Sequence, residues 1–184
     1  MSKVLVLLAQ GCEELEAITV IDLLRRAGIE VVAAGLQAGP VTASRGTVLV
    51  PDSTLEAELG KTFDMVVLPG GLPGAQHLEE DQRVRDLLQR QAAAGHFVAA
   101  ICAAPKVLAA AGLLDGKRAT AYPGAVNAAD FPRMTLSSEP VVVDGRVVTS
   151  RGPGTAMDFA LCLIEQLLGE TCRQEVESQL VRHL

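Results

Sequence analysis

The stretch HFVAAICAAPKVL, residues 96–108, predicts a buried strand that ends at a cysteine and turns directly into a helix. Residues 97–101 form a continuous apolar run, which is typical of a parallel strand covered on both faces. Cys102 then precedes two alanines and Pro105, and proline suits the first turn of a helix. We therefore expect Cys102 at the carboxyl end of a central strand, where open α/β sheets bind ligands and where the amides of a helix start stabilise a thiolate.

The arrangement around Cys102 is that of a nucleophile elbow, with cysteine in the place of serine. The alternative is a structural cysteine, because free cysteines are among the most buried residues in proteins. The choice between the two depends on what the rest of the chain brings to the same edge of the sheet.

Strands that alternate with helices predict the fold class. The predicted strands are residues 3–8, 30–35, 65–68, 97–101, 119–122, 141–143 and 147–150, and the predicted helices are residues 13–27, 55–59, 81–94, 105–111 and 155–168. Two hairpins are predicted, around Arg45-Gly46 and around Asp144-Gly145. This alternation favours an α/β three-layer sandwich with a mostly parallel central sheet.

Length and composition indicate one domain spanning residues 1–184, which is large enough to bury a full core. The net charge of -6, the lack of tryptophan and the lack of a basic patch argue against nucleic-acid partners. No apolar run approaches the roughly 20 residues of a membrane span. Residues 1–10 favour a first strand over a signal peptide, because no small-x-small cleavage site follows them, and the expected location is the cytoplasm.

Metal and cofactor sites are not predicted. The four cysteines are scattered and contain no C-x-x-C pair, and the three histidines are not spaced as metal ligands near them. No G-x-G-x-x-G follows the first strand, and residues 150–155 lack the pattern of a phosphate-binding loop. We therefore expect no metal and no nucleotide or flavin cofactor.

One acidic residue lies on the apolar face of the first predicted helix. On a wheel of about 100° per residue, Glu16 falls between Val20 and Leu23 within the apolar arc. Burying a carboxylate is costly, so we expect a raised pKa, and a neutral carboxylic acid can donate a hydrogen bond to a thiolate. This helix starts at the carboxyl end of the first strand, which places Glu16 on the same rim as Cys102. The alternative is that Glu16 bonds a backbone amide or an arginine.

Leu15 and Ile18 interrupt the polar face of the same helix. Single exposed apolar residues are normal, but two of them on the first helix indicate a partner surface. We expect a homodimer that uses this face.

Gly70 and Gly71 directly follow a buried strand and therefore lie on the rim that carries Cys102. Two backbone amides that face a cysteine nucleophile can form an oxyanion hole. Without such a nucleophile, a Gly-Gly pair after a strand is simply a turn.

Together, these segments resemble the DJ-1/PfpI (ThiJ) family. The matching motifs, in family order, are GCEELE (residues 11–16), LPGG (68–71), GAQ (74–76), AICAAP (100–105) and SRGPGT (150–155). They extend over nearly the whole chain and are most similar to the branch of DJ-1 and YajL, which carries an acid at the position of Glu16. The resemblance implies a flavodoxin-like fold and a homodimer.

The resemblance also implies roles for individual residues. Cys102 is then the reactive, easily oxidised cysteine, and Glu16 is the protonated acid that holds it as a thiolate. Arg45 corresponds to an arginine that in relatives reaches the cysteine region across the dimer. Backbone amides around the sulfur are implied for Gly70, Gly71 and Ala103.

Two positions depart from the family pattern. Ala103 stands where protease-like members carry a histidine, and Tyr122, before a proline, stands where DJ-1 carries one. Peptide hydrolysis needs an activating base, so we do not expect protease activity. Tyr122 is either a hydrogen-bond donor or a wall of the site, and His77 is expected in a surface loop.

Two functions remain open. The first is a cofactor-free glyoxalase III or deglycase activity on small reactive aldehydes such as methylglyoxal, in which Cys102 adds to the aldehyde and Glu16 moves the proton. The second is a redox-responsive stress protein or chaperone, in which a low-pKa, partly exposed Cys102 is oxidised to sulfinic acid. The same pair serves both functions, so the sequence does not separate them.

Overall fold

The computed structural model describes residues 1–182, in which strands and helices alternate along most of the chain. The strands are β1 (Lys3–Leu8), β2 (Glu30–Gly35), β3 (Val41–Thr42), β4 (Val48–Leu49), β5 (Ser53–Thr54), β6 (Met65–Leu68), β7 (Phe97–Ile101), β8 (Arg118–Thr120), β9 (Thr135–Ser137), β10 (Val141–Asp144) and β11 (Val147–Ser150). The helices are α1 (Glu14–Arg26), α2 (Leu55–Glu58), α3 (Leu72–Glu80), α4 (Gln82–Ala93), α5 (Pro105–Ala110), α6 (Ala156–Leu168) and α7 (Glu170–Gln179).

A seven-stranded sheet forms the centre, in the order β10-β11-β7-β6-β1-β2-β5. Every neighbouring pair in it is parallel except β10 and β11, which form the hairpin predicted around Asp144-Gly145. Strands β7, β6 and β1 are consecutive neighbours in this order. Because their carboxyl ends share one edge, residues from three chain segments meet on a single rim.

Two apolar cores cover the two faces of the sheet. Successive side chains of a strand point to opposite faces, so Val4 and Val6 belong to one core while Leu5 and Leu7 belong to the other. The first core also contains apolar residues of α1 and α6, and the second contains those of α4 and α5. Helices on both sides of a mostly parallel sheet confirm the three-layer α/β sandwich.

Some local predictions are wrong. His77 is exposed, as predicted, but it lies in α3 and not in a loop. The helix accommodates Pro73 because this residue is in the first turn, where a helix tolerates proline. The strand predicted at 119–122 ends at Thr120, because the Tyr122 amide turns toward the Cys102 carbonyl. That strand, β8, pairs in parallel with β9 in a separate small sheet. The two-residue strand β5 and the three-residue strand β9 are not predicted by the sequence.

None of the helices within residues 1–182 combines the length and the apolar character needed to cross a bilayer. In the same part of the chain, no group of three or more histidine, cysteine, aspartate or glutamate side chains could hold a metal ion. All four cysteines are free thiols.

Candidate active site

The elbow after β7 holds Cys102 in an uncommon backbone conformation. Its φ is 64°, in the left-handed region that residues other than glycine rarely adopt. The Cys102 N–H donates to the Ser150 carbonyl at 2.9 Å, and the Tyr122 N–H donates to the Cys102 carbonyl at 2.8 Å. Strained backbone persists only where the surroundings impose it, and it is concentrated at active sites. The elbow therefore favours a functional cysteine over a purely structural one.

The thiol of Cys102 is buried among hydrogen-bond donors. The residue is 8% exposed, which corrects the expectation of a partly exposed cysteine. The backbone amides of Gly71 and Ala103 face the sulfur and lower the pKa of the thiol, against the larger effect of burial. A side chain at position 71 would place its Cβ 2.4 Å from the Gly11 carbonyl oxygen, and the φ of +86° also favours glycine there. The turn after β6 thus depends on Gly71 to bring its amide to the sulfur.

Glu16 brings a carboxyl group to the same place from the first turn of α1. The residue is fully buried, and the Gly70 N–H donates to its Oε2 at 2.8 Å. Within residues 1–182, the other oxygen, Oε1, has no hydrogen-bond partner. A buried charged oxygen without a partner is costly, whereas a protonated carboxyl can donate a hydrogen bond to the neighbouring Cys102 sulfur.

Gly70 lies between Glu16 and Cys102, and its amide does not have the predicted role of an oxyanion-hole donor. Its amide is occupied by Glu16 and is therefore not a free oxyanion donor. A Cβ at this position would lie 2.6 Å from the Cys102 Cβ and 2.6 Å from Glu16 Oε2, so only glycine lets the two side chains meet. The predicted donors that remain beside the sulfur are the amides of Gly71 and Ala103.

The protonation of the two groups is linked. Burial raises the pKa of Glu16 from its ordinary 4.5 to about 7. Burial, followed by the negative charge of Glu16, raises the pKa of Cys102 to about 12. Because the pair resists carrying two negative charges, it holds one proton between about pH 7 and about pH 12. A thiolate at neutral pH therefore requires that this proton reside on Glu16.

The other predicted residues lie around this centre or away from it. Tyr122 is 51% exposed and contacts the elbow through its backbone amide. Arg45 is exposed on the turn between β3 and β4. Leu15 and Ile18 are 49% and 47% exposed on α1, and the partner surface that includes them stays a prediction.

Glu14 has a structural role that the sequence analysis does not predict. Its carboxylate accepts hydrogen bonds from Ser44 Oγ at 3.1 Å, from the Arg45 N–H at 3.0 Å and from the Thr47 N–H at 3.3 Å. Although burial acts in the opposite direction, backbone and side-chain hydrogen bonds lower its pKa to about 2. Acidic residues are common in the first turn of any helix, so the sequence carried no signal that this one fastens the β3–β4 turn to α1.

Comparison with known proteins identifies relatives along the whole chain. The sequence profile of the DJ-1/PfpI family matches residues 2–166. Protein dj-1beta of Drosophila melanogaster is 46% identical over 178 residues, covering 96% of this chain and 95% of that protein. The glutathione-independent glyoxalase DJR-1.2 of Caenorhabditis elegans is 38% identical over 168 residues, covering 91% of this chain and 89% of that protein.

Solved structures agree with the sequence comparison. The crystal structure of Drosophila melanogaster DJ-1beta matches with a TM-score of 0.94 and 45% identity, covering both chains completely. The structure of oxidized Toxoplasma gondii DJ-1 matches with a TM-score of 0.92 and 38% identity, again over both whole chains. The sheet order and the helices on both faces thus confirm the flavodoxin-like fold. This chain belongs to the DJ-1/PfpI family.

Proposed function

We propose that this protein is a cofactor-free, glyoxalase-type enzyme that converts small 2-oxoaldehydes, such as methylglyoxal, into 2-hydroxy acids. The observation that carries the proposal is the pairing of a strained elbow cysteine with a buried acid that shares its proton. The relative from Caenorhabditis elegans, which is described as a glutathione-independent glyoxalase, supports this reaction class.

The first step is addition of the Cys102 thiolate to the aldehyde carbon. A carbon–sulfur bond forms, and the electron pair of the carbonyl double bond moves onto its oxygen. The amides of Gly71 and Ala103 lie beside the sulfur and stabilise this charge as it develops. Glu16 then delivers its proton to the oxygen, which gives a neutral hemithioacetal and leaves Glu16 as a carboxylate.

The second step moves a proton between the two carbons. The Glu16 carboxylate removes the proton from the carbon bonded to sulfur, which gives an enediolate, and returns this proton to the adjacent carbon. The hydroxyl proton on the oxygen of the first carbon moves to the oxygen of the second, so the first carbon is oxidised to the thioester carbonyl and the second is reduced to an alcohol. No external oxidant or reductant enters. Water hydrolyses the resulting thioester to the 2-hydroxy acid and restores the cysteine. An acid with a pKa of about 7 is suited to both directions of this transfer near neutral pH.

A second candidate function uses the same pair. Hydrogen peroxide would transfer one oxygen to the Cys102 thiolate to give sulfenate and a second to give sulfinate, releasing one water each time. The unpartnered Glu16 Oε1 favours this candidate, because a protonated oxygen there can donate to a sulfinate oxygen. The relative from Toxoplasma gondii is described as oxidized. The protein would then be a redox-responsive stress protein or chaperone without significant turnover.

Two further observations support the homodimer and the cytoplasmic location that we propose. The exposed Leu15 and Ile18 support a homodimer through α1. The four free thiols suit a reducing compartment such as the cytoplasm.

The deciding experiment measures lactate formed from methylglyoxal by the fully reduced protein. We expect turnover in the wild type, none in Cys102→Ser, and a loss of about 10²-fold or more in Glu16→Gln, the size typical of general acid–base catalysis. Cys172→Ser, which removes a half-buried thiol on α7, is the matched control and should retain full activity. No lactate from the reduced wild type would overturn the enzymatic proposal in favour of the redox function.

A further inference from the structure

Tyr122 is attached to the elbow through its backbone. Its N–H donates to the Cys102 carbonyl, while the Cys102 N–H donates to Ser150 at the end of β11. The carbonyl of Cys102 is therefore bonded by the segment that follows β8, and its amide is bonded by the end of β11. Gly152 follows two residues after Ser150, so Tyr122 and Gly152 flank the elbow from these two segments.

The ring of Tyr122 extends from the first segment toward Gly152 in the second. A Cβ on Gly152 would lie 3.3 Å from Tyr122 Cδ2 and 3.8 Å from Cε2. The φ of Gly152 is 168°, an extended conformation open to any residue, so its backbone does not require glycine. What the glycine provides is room for the aromatic ring to lie against the backbone beside the elbow.

The exposure of this ring is unusual for the molecule. Phe63, Phe97 and Phe159 are at most 5% exposed, and Phe131 is half-buried. Tyr122 is 51% exposed although one side of its ring rests on Gly152. This aromatic surface is held in place on one side and open on the other, in a residue whose backbone is bonded to the elbow of Cys102, so it is available to pack against the substituent of a substrate.

We propose that Tyr122 is a specificity-determining residue, whose ring forms a wall beside Cys102 and favours 2-oxoaldehydes that carry a flat, aromatic substituent over those that carry a methyl group. In its catalytic form this proposal rests on the function proposed above. Offset or edge-to-face packing of two aromatic groups stabilises a complex enough to change a rate about two- to tenfold.

The test uses alkylation of Cys102, which needs no turnover. N-benzyl iodoacetamide and iodoacetamide share the same reacting carbon, and the modified peptide is quantified by mass spectrometry. The ratio of their rates should fall about two- to tenfold in Tyr122→Ala and stay unchanged in Tyr122→Phe, which keeps the ring. Gly152→Ala should lower the ratio less than Tyr122→Ala does, because its Cβ requires the ring to shift by only a few tenths of an ångström.

The rate with iodoacetamide alone reports whether the elbow is intact, because alanine at position 122 keeps the amide that holds Cys102. An unchanged ratio in Tyr122→Ala would overturn the proposal, whatever the enzyme turns over. If the wild type forms lactate, the preference for phenylglyoxal over methylglyoxal in kcat/KM should fall in the same variants. If it forms none, the glyoxalase function fails while the alkylation ratio still decides the role of Tyr122.

Discussion

Replacing Glu16 by glutamine should change how the stability of the fold depends on pH. The buried pair of Glu16 and Cys102 loses its first proton at about pH 7, whereas Glu16 in the unfolded chain loses its proton near the ordinary pKa of 4.5, so the native state binds one proton more tightly than the unfolded chain does. The stability that comes from this extra proton is therefore complete below about pH 4.5 and is lost as the pH rises to about 7. The gap corresponds to roughly 3 kcal/mol, at about 1.4 kcal/mol per pH unit.

Urea unfolding at a series of pH values between 4.5 and 8 measures this loss. The free energy of unfolding of the wild type should fall by roughly 3 kcal/mol relative to Glu16→Gln, because glutamine does not titrate. Glu80→Gln, which changes a carboxyl group at an exposed position of α3, is the matched control and should follow the wild type. Parallel curves for the wild type and Glu16→Gln would refute the assignment of the buried proton to this carboxyl group.

Three further predictions concern the surroundings of the pair. Gly70→Ala should lower the free energy of unfolding in urea by about 1–3 kcal/mol through overpacking. Gly60→Ala is the control and should be nearly neutral, because nothing lies within 4 Å of its Cβ position. Equal effects of the two substitutions would contradict the close packing of Cys102 and Glu16 against Gly70. Glu14→Gln should accelerate amide hydrogen exchange in residues 43–47, because the charge-assisted hydrogen bonds from that turn to residue 14 weaken. Unchanged exchange rates would show that Glu14 does not stabilise the turn. Ile18→Asp should halve the mass measured by light scattering, and a wild type that is already monomeric would rule out the α1 interface.

The sequence predicts those features that depend on which face of a single helix or strand each side chain occupies. Apolar spacing located β1, β7 and α1 to within about a residue. The same spacing placed Glu16 on the buried face, and the residue is fully buried there, which raises its pKa. Burial follows from local periodicity because the face of a helix or strand is set by its own geometry.

Features that depend on contacts between segments were not predictable in the same way. The left-handed φ of Cys102 arises from hydrogen bonds to Ser150 and Tyr122, which are distant in the chain. The Gly70 amide points to Glu16 rather than into the oxyanion position, a direction that no residue type reveals. The helix that contains His77 begins with Leu-Pro-Gly, a composition typical of a turn, and a helix is possible there because this proline lies in the first turn.

The most direct test of the account is a titration of the thiolate of Cys102. The ultraviolet absorbance of the thiolate is followed from pH 5 upward as the difference between the wild type and Cys102→Ser, with Glu16→Gln measured in parallel. We predict that the thiolate appears with an apparent pKa of about 7, because the pair then loses its first proton and keeps the second on Glu16. A thiolate that appears only near pH 12 would place the shared proton on sulfur and contradict the account.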